Sequence, residues 1–203
     1  MPPNGVTYTA ATKTWTFSEP GKKYPLIMFL HGAGEAGTDN NNQLKHGGQI
    51  HRDAVLSGKF PGFLFYEQSS TLDQIKAQLE KLIATLPIDI NRIYIHGLSG
   101  GGGDTWKFAI ANPTLIAGAF PMSASNDDAK QEKMLYMNLR QSQGERDNNP
   151  NPGWTQTIVD WFNANGGHLE YFYLLGVGHG TWDAMYNRAD FFPWFYPTRK
   201  MKS

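Results

Sequence analysis

A chain of 203 residues is long enough to bury a substantial core within one domain, and its 18 basic and 18 acidic residues leave no net charge. That balance offers no electrostatic footprint for nucleic acid or an anionic membrane, and no apolar run approaches the ~18 residues of a membrane-spanning helix. The absence of cysteine excludes disulfides and thiolate metal sites but does not decide the compartment.

The opening Met1-Pro2-Pro3-Asn4-Gly5 lacks the basic and apolar regions of a signal peptide, so secretion would imply a signal already removed. Two short alternating runs, 6–9 and 14–17, predict a β-hairpin or edge strands. Residues 25–30 are continuously apolar, as in a strand buried on both faces, and lead into His31-Gly32-Ala33-Gly34-Glu35-Ala36-Gly37. The polar, amide-rich stretch 38–51 predicts a loop with at most a short helix. Residues 60–66 predict another buried strand. Over 71–86, Leu72, Ile75, Leu79, Leu82, Ile83 and Leu86 keep to one helical face, and Pro87 ends the helix. A strand over 92–96 follows, then a glycine-rich turn and a helix over 104–112. Further strands are predicted at 115–120 and 134–139, a polar loop at 141–153, and a helix at 154–165 stopped by Gly166-Gly167. The last strand is 169–175, and the aromatic tail 182–195 predicts a covering helix. Strands alternating with helices indicate a mostly parallel sheet with helices on both faces. No long insertion offers a lid domain.

Chemistry concentrates at the turn Gly97-Leu98-Ser99-Gly100-Gly101, a G-x-S-x-G pattern between a strand and a helix. Such a turn strains the serine backbone and lifts its hydroxyl clear of the sheet. Gly97 and Gly101 let the helix pass close to neighbouring strands. A serine hydroxyl is a poor nucleophile at neutral pH and needs a base, itself oriented by a carboxylate. The turn resembles that of α/β-hydrolases, in which the chain order is serine, acid, histidine. Only His168 and His179 follow Ser99. His168 begins a strand, at the wrong end of the sheet. His179 lies in Gly176-Val177-Gly178-His179-Gly180 just past that strand, at the carboxyl edge where ligands gather, and is the candidate base. Asp147, in the loop after the penultimate strand, is the candidate acid, with Asp127 and Asp128 as alternatives. Charge developing on a substrate carbonyl oxygen needs preorganised donors. The backbone N–H of Gly100 is one candidate, and Ala33 is the other, with Gly34 as its near alternative. His31 is expected to brace this loop. Glu35 either holds the loop or touches substrate.

The segments Leu30-His31-Gly32-Ala33-Gly34-Glu35, Gly97-Leu98-Ser99-Gly100-Gly101, Gly144 with Asp147, and Gly178-His179-Gly180 with Trp182 resemble the α/β-hydrolase superfamily. More closely, they resemble the compact, lidless esterases related to carbohydrate esterase family 1, polyhydroxybutyrate depolymerases and predicted secreted peptidases. The likeness spans residues 24–196. It implies an α/β-hydrolase fold in one domain over 1–203, and hydrolysis of carboxylic esters through an acyl-enzyme. Ser99 would attack, His179 relay the proton and Asp147 orient it. Relatives include acetyl-xylan and feruloyl esterases, often modules of secreted multidomain proteins. The implied substrates are short-chain or aromatic acyl esters, small or displayed on a polysaccharide. Neither nucleic acid nor a membrane is expected as a partner, and no cofactor or metal is expected. The rivals are a serine peptidase with the same parts and a non-catalytic binding module on the same fold.

Other patterns fail on context. Gly32-x-Gly34-x-x-Gly37 fits a dinucleotide motif, but a polar non-periodic run follows where a helix should open. Gly97-x-x-x-x-Gly102 lacks the lysine and hydroxyl of a phosphate loop. His46 and His51 have no third candidate metal ligand nearby in sequence. Trp182 is expected at the rim of the cleft, and Gln68, His46, Tyr66 and Met122 are candidates to line the acyl pocket.

Overall fold

Seven consecutive buried residues, Tyr24–Leu30, cannot hide two apolar faces against one neighbour, and this strand lies inside a sheet covered on both sides. The computed structural model describes residues 2–9, 14–68 and 70–195. Taking the hairpin strands as β1 (Val6–Thr9) and β2 (Thr14–Phe17), the sheet comprises β3 (Tyr24–Leu30), β4 (Phe63–Tyr66), β5 (Ile88–Leu98), β6 (Gly118–Met122), β7 (Asn138–Gly144) and β8 (Leu169–Leu174). Their order is β4-β3-β5-β6-β7-β8, with every pairing parallel. β1 and β2 pair antiparallel as a separate two-stranded sheet, and the connecting residues 10–13 lie outside those described.

The period of two sorts the strands' side chains into two cores. Leu26, Met28, Leu30, Ile93 and Ile95 face one side, against α2 (Leu72–Thr85), α3 (Gly100–Ala111) and α4 (Pro152–Ala164). Ile27, Phe29, Tyr94 and Phe120 face the other, against α1 (Gly48–Leu56), α5 (Trp182–Tyr186) and α6 (Phe191–Phe195). α2 starts where its sequence can satisfy the first free N–H groups. The Thr71 hydroxyl accepts from Gln74 N at 3.3 Å and the Gln74 side chain accepts from Thr71 N at 2.8 Å.

Four elements depart from the sequence expectation. Residues 38–51 were expected as a loop with at most a short helix, but α1 begins within them and runs nine residues, because His51, Ala54 and Val55 present a buried face. The strand expected at 134–139 instead starts at Asn138 and occupies much of the expected loop. Its Arg140, Gln141, Ser142 and Gln143 are all buried, so hydropathy hides it. Each of these side chains finds a partner. Arg140, for one, pairs with Glu170 at 2.7 Å and Asp190 at 2.8 Å. The elbow helix opens at Gly100, four residues before its expected start at 104. Close packing there requires glycines that helix propensity argues against. The aromatic tail forms two five-residue helices, divided where Asp190 turns to meet Arg140 and Arg188.

Candidate active site

β5 ends at Leu98 and α3 begins at Gly100, which leaves Ser99 alone at the corner with φ 54° and ψ −119°. A positive φ costs a non-glycine residue about 1–3 kcal/mol and persists only where the surroundings hold it. Here Ser99 N donates to Met122 O at 3.0 Å, and Ser99 O accepts from Gly103 N at 3.1 Å. Met122, a candidate for the pocket lining, is buried and contributes this carbonyl. The corner also needs bare backbone. A methyl on Gly97 would strike the Gly101 carbonyl, and one on Gly101 would strike the carbonyls of Leu30 and His31.

Ser99 Oγ lies 2.8 Å from His179 Nε2, and His179 Nδ1 lies 2.9 Å from Asp147 Oδ2. A carboxylate only accepts, so Nδ1 carries the ring proton and Nε2 is left as the acceptor for the serine hydroxyl. The three side chains come from the turns after β5, β7 and β8, at one edge of the sheet. Asp147 is buried, while the His179 side chain is 39% exposed, open to a substrate. The alternative acids do not join this chain. Asp127 sits on a one-turn helix and pairs with Lys130 at 3.0 Å. His168 precedes β8, away from the turn that carries His179.

A second set of residues, not singled out in the sequence, holds this chain in place. Gln143 Nε2 donates to Asp147 Oδ2 at 3.0 Å, Asn149 N donates to Oδ1 at 2.9 Å, and Thr155 Oγ1 donates to Gln143 Oε1 at 3.0 Å. Ser123, itself at φ 49°, donates to His179 O, and its hydroxyl lies 2.7 Å from Thr181 Oγ1, which is 2.8 Å from Ser142 Oγ. Gly144 lies so close to the histidine loop that a methyl there would meet Gly178 O. The polar strand β7 thus fastens both Asp147 and His179. A serine or glutamine in a run that reads as loop carries no sequence signal of such a role.

The oxyanion candidates adjoin. A methyl on Gly100 would lie 3.3 Å from Ala33 N, so the two N–H groups belong to neighbouring backbone. Gly100 opens α3, and its N–H has no carbonyl one turn behind it within the helix. His31 braces the loop through Nδ1, 2.7 Å from Gly32 O. Gln68 commits its amide to the same loop. It donates to Glu35 O at 3.2 Å and Asp39 Oδ1 at 2.9 Å, and accepts from Asn40 N at 2.7 Å. The Asn42 N–H, and next the Gln68 amide, hold the Asp39 carboxyl below its ordinary range.

Beside His179 stands Trp182, the two rings edge to face with centroids 5.6 Å apart. His46 follows, 5.6 Å from the Trp182 ring, and its Nε2 lies 3.6 Å from Glu35 Oε1. Tyr66 lies elsewhere. It lines a cavity of about 890 Å³ with Asn40, Gln43, Arg52, Leu64 and Leu86, and Ser99, Asp147 and His179 are not among its lining residues.

A parallel sheet covered on both faces, with a strained serine at a strand-helix corner, is the α/β-hydrolase fold. No protein-family profile and no curated protein matches the chain. Among solved structures it is similar to a thermostable esterase, at 25% identity and a TM-score of 0.84 over 96% of this chain. The chain spans 62% of the length of that esterase. The fold is also shared with a ferulic acid esterase (14% identity, TM-score 0.64, 94% of this chain and 97% of that one). An S-formylglutathione hydrolase from Staphylococcus aureus shares it too (16% identity, TM-score 0.64, 96% and 99%). The chain resembles α/β-hydrolase serine esterases.

Proposed function

We propose that this protein is a serine carboxylesterase working through an acyl-enzyme, with Ser99 as nucleophile, His179 as base and Asp147 as its orienting acid. The observation that carries the reading is the unbroken hydrogen-bonded chain from Ser99 Oγ through the His179 ring to Asp147, on a backbone corner strained to present the hydroxyl. The likeness to a thermostable esterase supports it.

Ser99 Oγ attacks the ester carbonyl carbon as its proton passes to His179 Nε2. The carbonyl oxygen takes the negative charge and is met by the N–H groups of Ala33 and Gly100, each worth about 3 kcal/mol in the transition state. The tetrahedral intermediate collapses, the C–O bond to the alcohol breaks, and His179 returns its proton to the leaving oxygen. Water, deprotonated by the same nitrogen, then releases the acid and restores Ser99. No cofactor enters these steps. The substrates are short-chain or aromatic acyl esters, including esters displayed on a polysaccharide, reached through an open cleft.

Purified protein is expected to hydrolyse p-nitrophenyl acetate or a feruloyl ester faster than a peptide amide, with kcat falling at least about 10⁴-fold in Ser99→Ala. Equal activity in the variant would remove the mechanism. Faster amide cleavage would make the protein a peptidase, and no ester hydrolysis by wild type would leave a binding module. Gln143→Leu is expected to cost about 2 kcal/mol of stability, since it leaves the buried Thr155 hydroxyl without its acceptor and takes one donor from Asp147. Urea unfolding measures that loss, and a fall in kcat of about tenfold in the same variant reports the loosened acid.

A further inference from the structure

The Glu35 carboxylate lies beside Ser99, and the proposed chemistry does not use it. Its side chain is only 8% exposed. Among the described residues it meets one polar side chain, His46, at 3.6 Å, too long for a good hydrogen bond. With His46 as its one side-chain neighbour at 3.6 Å, this shielded carboxylate keeps acceptor capacity for a donor that arrives with substrate. The bare backbone of Gly32 leaves room for the carboxylate. A methyl on that residue would lie 2.7 Å from Glu35 Oε2 and 3.6 Å from Ser99 Cβ, so carboxylate and nucleophile share one patch of bare backbone.

The side of the scissile bond follows from the base. The leaving oxygen must face His179 Nε2 to receive its proton. From His179 the rings of Trp182 and then His46 run in succession toward Glu35. The alcohol half of the ester therefore meets an aromatic ring, an imidazole and a carboxylate. His46 already lies beside Glu35, and its ring nitrogens can hydrogen-bond a hydroxyl that reaches the carboxylate.

We propose that Glu35, with His46 and Trp182, forms a subsite that accepts a hydroxyl of the alcohol moiety, which makes esters of polyols and sugars the preferred substrates. This rests on the serine esterase reading and adds a specificity-determining residue to it. The hydroxyl donates to a Glu35 oxygen, and the sugar or polyol carbon chain lies against the Trp182 ring.

The test compares 2-hydroxyethyl acetate with propyl acetate, which are nearly the same size and differ by one hydroxyl, and glyceryl monoacetate with butyl acetate. Wild type is expected to favour the hydroxylated member of each pair by roughly tenfold or more in kcat/KM, mainly through KM, as for a hydrogen bond to a charged acceptor. In Glu35→Leu the preference disappears, and in Glu35→Gln, which keeps the shape and one acceptor oxygen, it shrinks. Thermal melting and circular dichroism of both variants establish that they are folded. Should Glu35→Leu misfold, Glu35→Gln and His46→Leu carry the comparison. Equal kcat/KM on the two members of a pair in wild type, or a loss in Glu35→Gln that falls equally on both, overturns the subsite and leaves the esterase reading standing. A preference for acetylcholine over both hydroxylated esters overturns it in favour of a cation. Hydrolysis of none of these esters overturns the esterase reading itself, and the subsite with it.

Discussion

Asp147→Asn is expected to lower kcat by about 10⁴-fold, whereas Asp127→Asn leaves it within about twofold. The reason is a count of donors. Asp147 receives three, from Gln143 Nε2 and His179 Nδ1 at Oδ2 and from Asn149 N at Oδ1. A carboxylate satisfies all of them, but an amide has one oxygen and must fail at least one. If its NH₂ takes the Oδ2 place, His179 Nδ1 must become an acceptor and its proton moves to Nε2. That nitrogen then has no lone pair for the Ser99 hydroxyl, although every heavy atom stands where it did. Asp127 has an exposed side chain paired with Lys130, and its carboxyl contributes nothing to the chain. Steady-state kinetics on p-nitrophenyl acetate separates the two variants. A larger loss in Asp127→Asn would reassign the acid. A loss confined to KM would deny Asp147 a role in the transition state.

The sheet and the serine corner were legible because their signals are local. An apolar run with turn residues at its end marks β3, and G-x-S-x-G between a strand and a helix marks Ser99. Histidine and acid were legible through chain order and sheet edge, which single out His179 and Asp147 without any contact being known. What stayed hidden is what depends on tertiary partners. β7 reads as loop because its buried face is polar, with Gln143, Ser142 and Arg140 each answered by a side chain distant in sequence. Gln68 has the polarity of a lining residue, but its amide is taken up by the loop between Glu35 and Asn40, since amides serve backbone as readily as ligand. His51 looks like one more polar loop residue, because nothing in sequence announces a histidine buried among aromatics.

That histidine sets the second large expectation, a loss of stability as pH falls from 6.5 toward 5. His51 Nδ1 lies 2.6 Å from Gly47 O, so it carries the proton, and neutral His51 offers Nε2 as an acceptor. His96 Nε2, 2.8 Å away, must then be the donor, and His96 Nδ1 is left as a buried lone pair without a partner among the described residues. Phe29, Tyr186 and Phe191 surround both rings. Burial pushes His51 down to about 4, and burial together with the neighbouring imidazole pushes His96 well below its ordinary value. Both are therefore neutral in the folded protein at pH values where the unfolded chain, at about 6.5, binds protons. More protons on the unfolded state mean that stability is lost as pH is lowered, beginning near 6.5 and continuing until the folded groups themselves titrate. For His51 alone this amounts to about 2 kcal/mol by pH 5, and His96 acts in the same direction. Carboxylates titrate lower, so the window between 5 and 6.5 belongs to histidine. Urea unfolding across that window should show a falling midpoint, flattened in the double variant His51→Gln/His96→Gln, whose amides can still bond to each other but carry no titratable proton. The same slope in the double variant would assign the acid sensitivity to other histidines. Because His96 stands three residues before Ser99 on β5, acid that charges the pair loosens the strand that carries the proposed nucleophile.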